Sequence, residues 1–464
     1  MRLGAASLLA LAAGLVQAVA ASWSHKSLSK QVDLGGAMAM FSLAAEAVPN
    51  AKATQYLFYL NPKEHSHLSA ISATIKSSGE TIATVPYFSN VLDDTNSTVV
   101  YTIDIPESLQ DEKLTIEVSG RMVHGAVPLP RELPQRTTQF LYWEGDAAVR
   151  TPYASDQAVL TIKAPTSSIQ AFGEGGKQSG QAIVYGPSPN KGFTEKSIVP
   201  WTFVHYQYPR PVMTFVDLER IVHVSHIGNV VSTQDNIWLR NDGALLSGFF
   251  SRSDYIIAKY MQRKAEYATI IDTFPYFLPA GAEDVYFIDT IGNVSTSALR
   301  PNDANVPMRL DITPRYPVMG GWNYTFSVGW KEDLGRIARN IAGGRVSLAV
   351  PFISVTKNTA VDHALTRIVL PEGARNIKVS VPFNVDSMRT ETVSSYLDSV
   401  GRPAVVIERA NCSAAHNVPL YVEYSLSPID SLRKPIAVAA VIAGIYTVFA
   451  ILRRVQLGVP SKRA

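Results

Sequence analysis

The sequence contains almost no cysteine. Cys412 is the only one among 464 residues, so no disulfide can form within the chain and its cores must be held by packing alone. Small extracellular modules are commonly stapled by several disulfides, and the lack of such a framework favours a resident of an internal compartment over a surface receptor. We interpret Cys412 as a buried, unreactive thiol, and a bond to a partner chain is the alternative.

Signatures of enzyme chemistry are also missing. Neither HExxH nor GxSxG occurs in the chain, and nothing indicates a Ser/His/Asp triad. His223 and His226 have the spacing of metal ligands, but the apolar residues around them alternate as in a strand. The glycines at 173–180 lack the spacing of a phosphate-binding loop, and Asp93 and Asp94 are typical of a polar turn. We therefore predict no catalytic residue, no cofactor and no metal site, and a chain that is not an enzyme by itself.

Clustered positive charge is absent too. The formal net charge is only +3, and much of the basic excess lies beside and after the C-terminal apolar run. No Lys/Arg cluster of the kind that binds nucleic acid remains, so no nucleic-acid partner is predicted. The hydrophobic content of 46% suffices for packed cores. A body of about 410 residues exceeds what one core usually organises, so two or more domains are expected.

Long apolar runs occur at the two ends. Residues 1–20 place a basic residue before an apolar stretch that closes on small residues, which is the pattern of a cleavable signal peptide. Residues 433–453 predict a transmembrane helix, because 435–452 contain no charge and basic residues follow. As a helix this run covers about 27 Å, close to the thinner hydrocarbon core of the endoplasmic reticulum. The expected topology is type I, with a lumenal body, one span and a short cytosolic tail at 454–464.

The predicted span contains small residues at helical spacing. Ala437, Ala440 and Gly444 are expected to share one face, and small residues let helix backbones approach closely within lipid. We predict that this face packs against helices of partner chains. The alternative is a span that faces lipid and contains alanine by chance.

The body of the chain is predicted to be mostly β. Alternation of apolar and polar residues indicates half-buried strands. These strands are predicted at 101–105, 114–118, 376–381 and 420–426. Turn residues separate them and few amphipathic helical patterns intervene, so we predict two tandem lumenal β-sandwich-like domains, 21–217 and 218–432, followed by the single C-terminal transmembrane helix.

A weak internal repeat supports this division. The stretch 30–53 resembles 220–244 in its order of strand, turn, strand and polar turn. The segment 170–200 is rich in Gly, Ser, Pro and Lys, which predicts a long exposed loop within the first domain. Helical periodicity predicts helices over 254–267 and 332–340.

Four N-glycosylation sequons lie on the predicted lumenal side. They begin at Asn96, Asn293, Asn323 and Asn411. Each is a candidate acceptor, and Asn96 is the strongest because it lies in a predicted exposed turn. We therefore expect the mature protein to carry glycans itself.

Several longer stretches carry a family resemblance. They are FPYFLPAGAEDVYFIDTIGNVSTSAL at 274–299, SHIGN at 225–229, TPYASDQAVLTIKAP at 151–165, TPRYPVMGGWNYTFSVGW at 313–330, LPEGARNI at 370–377 and YLDSVGRPAVVIERANCSAAHN at 396–417. In this order they strongly resemble the ribophorin I family, the type I subunit of the oligosaccharyltransferase of the endoplasmic reticulum. Since animal members carry a longer cytosolic region after the span, the chain looks like a fungal-type member.

The resemblance implies a non-catalytic role. In that complex a separate multi-spanning subunit transfers a preassembled oligosaccharide from dolichyl diphosphate to Asn in Asn-x-Ser/Thr. The implied partners are this catalytic subunit, small membrane subunits, nascent polypeptides and the endoplasmic reticulum membrane. Two alternatives come from other classes: a single-pass adhesion or receptor glycoprotein of the cell surface, and a membrane-anchored lumenal hydrolase.

Overall fold

The computed structural model describes residues 22–454 with gaps at 51, 53, 78, 93–97, 194–198, 262–267, 301–305, 342–343, 396–397, 399, 428–429 and 431–432. Four predicted features lie outside the described residues: the signal peptide at 1–20, the turn at Asp93 and Asp94, the sequon at Asn96, and the tail beyond Arg454. The predicted mostly β architecture is confirmed, and the chain divides into a first half, 22–212, and a second half, 213–426, followed by a long helix.

The first half is built from strands and one short helix. They are β1 (Trp23–Asp33), β2 (Met38–Pro49), β3 (Gln55–Leu60), α1 (Pro62–Ser66), β4 (Leu68–Lys76), β5 (Thr81–Thr84), β6 (Tyr87–Leu92), β7 (Thr98–Asp104), β8 (Leu114–Val123), β9 (Ala126–Pro128), β10 (Glu132–Pro134), β11 (Phe140–Asp146), β12 (Ser155–Lys163), β13 (Ile169–Phe172), β14 (Lys177–Ser179), β15 (Ala182–Asn190) and β16 (Trp201–Gln207). An eight-stranded sheet has the order β14-β15-β12-β1-β2-β8-β4-β5, and smaller sheets β3-β7-β6 and β13-β16-β11-β9 accompany it.

The second half repeats this design and adds three helices. Its elements are β17 (Met213–Ser225), β18 (Val230–Asn241), β19 (Leu245–Ser247), α2 (Arg252–Tyr260), β20 (Phe274–Leu278), β21 (Glu283–Asp289), β22 (Ala298–Arg300), β23 (Met308–Ile312), β24 (Asn323–Asp333), α3 (Leu334–Ile337), β25 (Ala338–Ile341), β26 (Arg345–Pro351), β27 (Ala360–Val369), β28 (Arg375–Ser380), β29 (Ser387–Val393), β30 (Arg402–Cys412), β31 (Pro419–Ser425) and α4 (Arg433–Arg454). A seven-stranded sheet has the order β21-β24-β18-β17-β27-β30-β29, beside sheets β20-β23-β22 and β25-β26-β31-β28.

The weak sequence repeat corresponds to a repeat of topology. In each half a long antiparallel hairpin, β1–β2 or β17–β18, forms the middle of the large sheet. The first strand of each hairpin also pairs in parallel with a strand from much later in the chain, β12 or β27. The two large sheets therefore share a run of four strands, β12-β1-β2-β8 in the first half and β27-β17-β18-β24 in the second.

Each half has its own hydrophobic core. One cluster of buried side chains runs from Trp23 to Val212 and is joined by Ala360, and the other runs from Phe215 to Tyr424. Rings meet across the layers, as in the contact between Phe41 and Phe58, whose centroids are 6.0 Å apart. The predicted boundary at 217/218 falls within β17, a few residues after the packing passes from one core to the other. The division into two domains stays a prediction.

Two local predictions were wrong. The segment 170–200 is not one long loop, because β14 and β15 form a hairpin at the edge of the eight-stranded sheet. Its residues are mostly exposed and polar, so an edge hairpin here resembles a loop in composition. The helix predicted over 332–340 is confined to α3, because the following residues pair with β26 as β25. The other predicted helix begins at Arg252 and reaches Tyr260, and 262–267 lie outside the described residues.

Candidate functional site

A large cleft lies between the two halves. Its volume is about 890 Å³, and it is bordered by β2, β4 and β8 of the first half and by 381–384 of the second. The apolar side chains Met40, Val85 and Phe88 are about half exposed or more on the first-half wall. Clefts of this kind, formed where two compact units meet, are common places for ligand binding.

Direct hydrogen bonds close the bottom of this cleft. The Ser69 hydroxyl donates to the Ser413 hydroxyl over 2.9 Å, and the Arg409 Nη2 donates to the Ser69 carbonyl over 2.9 Å. The Asn411 Nδ2 donates to the Ser66 carbonyl over 3.2 Å. These contacts hold β30 of the second half against the α1–β4 corner of the first half.

Arginine and aromatic groups give the cleft its chemical character. The Arg409 guanidinium lies 5.7 Å from the centroid of the Phe383 ring. Its Nε is buried, and among the described residues none accepts a hydrogen bond from it. Burial, together with Arg409 and Arg121, lowers the pKa of His416 to about 4, so this imidazole is neutral near pH 7. Because the Arg409 Nη atoms already donate to the Asn384 and Ser69 carbonyls, the cleft offers a ligand apolar surface more than free cationic donors.

A second contact between the halves is ionic. The His124 ring bonds the Asp362 carboxylate over 2.5 Å, and Arg240 reaches the same carboxylate over 3.5 Å. Burial alone would lower the pKa of His124, but the hydrogen bond and charge of Asp362, aided by Asp242, raise it above its ordinary value. Near this contact β10 and β19 pair in parallel across the two halves. The halves are thus joined by side chains and by backbone.

The predicted glycosylation sites fall into two environments. Asn293 and Asn323 are exposed, as are the hydroxyl residues that complete their sequons, Ser295 and Thr325. Asn411 is half-buried where the two halves meet, with its amide bonded to the Ser66 carbonyl and a positive φ of 52°. Its sequon ends in Ser413, which has no exposed surface. Folding thus leaves Asn293 and Asn323 accessible and encloses the Asn411 sequon.

The residues weighed as reactive groups have structural roles. His223 lies on β17, as its alternation predicted, and the His226 ring bonds the Tyr424 hydroxyl over 2.7 Å. Cys412 is fully buried, and burial raises its pKa to about 12, so its thiolate is not formed at neutral pH. Within the described part of the chain, no three His, Cys, Asp or Glu side chains gather as metal ligands.

The last helix has the properties of a membrane span. Residues 435–454 have a mean hydropathy of 2.3 and are not buried in the protein, so the helix is long and apolar enough to cross a membrane. Ala437, Ala440 and Gly444 lie on it, and at Gly444 the surrounding space is open. Packing of this face against partner helices stays a prediction.

The sequence did not reveal the cleft. Arg409, His416 and Phe383 come from strands and turns of the second half, whereas Met40 and Phe88 come from the first, more than 290 residues away by number. No local motif connects them, and only the sheet topology brings them together. A signal was nevertheless present, because the stretch at 396–417 that resembles the family contains Arg409, Asn411 and Ser413, which bond the first half.

Comparison with known proteins identifies the chain's relatives. The "Dolichyl-diphosphooligosaccharide--protein glycosyltransferase subunit 1B" of Oryza sativa subsp. japonica is 31% identical over 88% of this chain and 86% of its own length. The corresponding "subunit 1" of Caenorhabditis elegans is 28% identical over 96% of this chain and 74% of its own. Among solved structures, native leukotriene A4 hydrolase from Saccharomyces cerevisiae aligns over 40% of this chain and 29% of its own with 10% identity, and its TM-score of 0.23 supports no statement about fold. A family model described as Ribophorin I matches residues 23–453. The match begins at the first described strand and ends within the apolar helix α4, and the chain therefore belongs to the ribophorin I family.

Proposed function

We propose that this chain is a non-catalytic subunit of the oligosaccharyltransferase, anchored in the endoplasmic reticulum membrane by α4 with its β-rich body in the lumen. The observation that carries the proposal is the family match across both halves and the apolar helix. It is supported by relatives that are named as subunit 1 of a dolichyl-diphosphooligosaccharide–protein glycosyltransferase. The chain acts by positioning other components, and the chemistry belongs to a multi-spanning partner.

The path of the chain supports an arrangement relative to the membrane. β31 leads toward α4 through its last residue Ser425, which pairs with Arg345 and Arg375. Tyr424, the residue before it, bonds His226 at one end of the seven-stranded sheet, and the contacts with the first half lie at the other end, near Cys412. A strand as long as β17 spans about 40 Å. The first half and the cleft are therefore held well into the lumen, away from the anchor.

The cleft is suited to a nascent polypeptide that awaits glycosylation. β5 is the outer strand of the eight-stranded sheet, so one edge of its backbone is unpaired within the described sheet. Val85 and Phe88 follow this edge along the cleft. An extended peptide could bond the edge through its main chain and place apolar side chains on these residues, which requires no particular sequence.

Co-purification tests membership of the complex. The tagged full chain, purified from membranes in mild detergent, is expected to bring with it a multi-spanning glycosyltransferase and small membrane proteins. Recovery of a cell-surface ligand would instead support an adhesion or receptor role, and a lone chain with hydrolase activity would support an enzyme. Protease added to intact microsomes is expected to leave the β-rich body intact, and digestion of the body would overturn the lumenal orientation.

Depletion tests the assigned role. Loss of the protein is expected to lower N-glycosylation of client proteins unevenly, because badly presented acceptor sites suffer most when positioning is lost. Sequon occupancy read by mass spectrometry would measure this. Unchanged occupancy would contradict the role, as would sugar transfer by the complex after its multi-spanning subunit has been inactivated.

Crosslinking tests the cleft. A photoreactive amino acid in place of Phe88, 51% exposed, is expected to crosslink to ribosome-bound nascent chains in microsomes. The matched control is Phe277, which is 47% exposed on β20 of the second half. Equal crosslinking at both positions, or at neither, would contradict a specific role for the cleft.

A further inference from the structure

One face of the small sheet β13-β16-β11-β9 is covered by aromatic rings. Along β11, Phe140 and Tyr142 alternate with buried residues and point away from the core, and along β16 Trp201 and Phe203 do the same. The rings of Tyr142 and Phe203 lie 5.5 Å apart between centroids, with only 23° between their planes. These rings form a platform on the sheet, in which Tyr142 and Phe203 are nearly parallel. Trp201 is 47% exposed at its end, with the Lys63 ammonium 5.0 Å from its ring centroid.

A concave pocket adjoins this platform. Its volume is about 300 Å³, and it is formed where α1 meets β8, β9 and β11. Tyr142 belongs to both the platform and the pocket wall. The remaining wall is mixed and includes the apolar Val127 and the polar His67 and Glu144. A ligand that lies on the rings can therefore extend polar groups into the pocket.

The charged residues of the pocket are already neutralised by partners. Lys63 is paired with Glu144 at the rim, and Glu64 accepts a hydrogen bond from Lys30 over 2.7 Å beneath the floor. His67 adds no charge, because burial and the nearby His124 lower its pKa. His124 faces the pocket as well, but it is bound to the Asp362 carboxylate. The pocket therefore selects neither an anion nor a cation, and favours a neutral ligand that can bond many polar groups.

From this geometry we propose that the platform and its pocket bind a neutral oligosaccharide. Sugar rings have apolar C–H faces that pack on aromatic rings, and their hydroxyls are donors and acceptors that match the His67 imidazole and the partly exposed Glu144 carboxylate of the pocket. A charged lipid headgroup or phosphate does not match the neutralised walls. A flat protein surface would cover the rings but would not fill the concave pocket, whereas one end of a sugar chain can enter it.

The proposal rests on the proposed function, which places a large oligosaccharide beside this chain. The same sugar chemistry occurs in the lipid-linked donor and in the glycan newly attached to protein. Because the platform lies on the first half, away from the anchor, it can hold the outer part of a glycan while its reducing end is near the membrane.

Photocrosslinking to the intact purified complex tests the proposal. The probe is a mannose-rich oligosaccharide that carries a diazirine, used free, linked to a dolichyl-type lipid, and linked to an acceptor peptide. Mass spectrometry is expected to find crosslinks on 140–144 and 201–205. Trp201→Ala is expected to reduce them at least tenfold. Trp238→Ala, a matched control because Trp238 is 43% exposed on β18 of the second half, is expected to leave them unchanged.

The outcomes separate the two proposals. If the complex forms and glycosylates normally but crosslinks are absent from the platform or unaffected by Trp201→Ala, the sugar site is wrong and the subunit role stands. If Trp201→Ala instead releases other subunits without changing the crosslinks, the platform is a protein interface and the sugar site is again wrong. If no glycosyltransferase accompanies the chain, the proposed function itself fails. Comparison of the three probes shows whether the donor or the product glycan is held.

Discussion

The two halves of the protein bury a cation on the same strand of the same motif, but each half neutralises it differently. Lys30 lies on β1 and Arg220 on β17, the first strands of the repeated hairpins, and each is within 5.6 Å of an aromatic ring centroid. In the second half Arg220 bonds Asp235 on the adjacent strand through two hydrogen bonds of 2.8 and 2.7 Å. In the first half Lys30 bonds Glu64, which comes from α1, outside the sheet.

The two ion pairs therefore differ in role: Arg220–Asp235 is structural, whereas Lys30–Glu64 is connected to a surface of the protein. The Arg220–Asp235 pair is closed within one sheet and receives a further hydrogen bond from the Tyr276 hydroxyl. The Lys30–Glu64 pair instead attaches α1 to the sheet, and α1 is fixed by a capping box between Asn61 and Glu64. Because α1 also forms part of the pocket beside the aromatic platform, the ion pair of the first half supports a candidate binding surface, whereas that of the second supports only its core.

Removing Asp235 is expected to have the largest effect on stability. In Asp235→Ala the Arg220 guanidinium, which cannot lose its proton, remains buried without its carboxylate, and we expect a loss of about 3–5 kcal/mol in the free energy of unfolding. Denaturant unfolding of the purified chain would measure it. The double variant Arg220→Met/Asp235→Leu is expected to recover most of the loss, and a double variant as unstable as the single one would contradict this account.

Removing Glu64 is expected to cost less and to act on the surface. In Glu64→Gln the buried Lys30 loses its counter-charge but can still donate to the glutamine carbonyl oxygen, so we expect a loss of about 2–3 kcal/mol. The platform should also respond, because α1 carries Lys63 over the Trp201 ring at 5.0 Å. A changed fluorescence of Trp201, measured against a Trp201→Phe background, would report it. A loss of stability as large as that of Asp235→Ala, together with unchanged Trp201 fluorescence, would contradict the proposed difference between the two ion pairs.

Local patterns in the sequence predicted some of the elements, but not their partners. Alternation identified β8 and β31, and the uncharged run identified α4. The ion pairs were not predictable, since the partner of Lys30 depends on where α1 docks and that of Arg220 on the register of β18. The parallel pairing of β1 with β12 joins residues about 130 positions apart, and no local period encodes such a contact. Exposed edge strands such as β14 bury too few side chains to show an alternating pattern, and the segment that contains β14 was therefore predicted wrongly as a loop.

Enlarging the small residues of the span tests how the second half is attached to the complex. Replacing Ala440 and Gly444 with Leu is expected to weaken the association of α4 with partner helices by on the order of 1 kcal/mol per contact, because the helix backbones could no longer approach closely. Co-purification in mild detergent would be the measurement. Ile442→Leu, on the opposite side of the helix at 100° per residue, is the control. Unchanged recovery of partners in the double variant would indicate that the face contacts lipid.

Raising the pH is expected to weaken the contact between the halves slightly. The pKa of His124 is raised in the folded protein, so its protonated form is favoured by folding, and the stabilisation is complete below the unfolded value of about 6.5 and is lost as the pH rises through the folded pKa. As the pH rises, the free energy of unfolding is therefore expected to fall more in the wild type than in His124→Gln. Parallel pH profiles for the two proteins would show that the bond to Asp362 does not stabilise the contact.

The smallest expected effect concerns the sequon at the junction of the halves. A glycan on Asn411 would replace the hydrogen bond from its amide to Ser66 and would have to pass beside Ser413, which is fully buried. The halves could not dock around it, so we expect folded molecules to carry no glycan there. Asn411→Gln is then expected to leave the electrophoretic mobility unchanged, whereas Asn293→Gln and Asn323→Gln should each remove one endoglycosidase H-sensitive glycan from the exposed surface of the second half. A mobility shift in Asn411→Gln would mean that the junction opens in the mature protein. The two halves would then move relative to each other at the cleft.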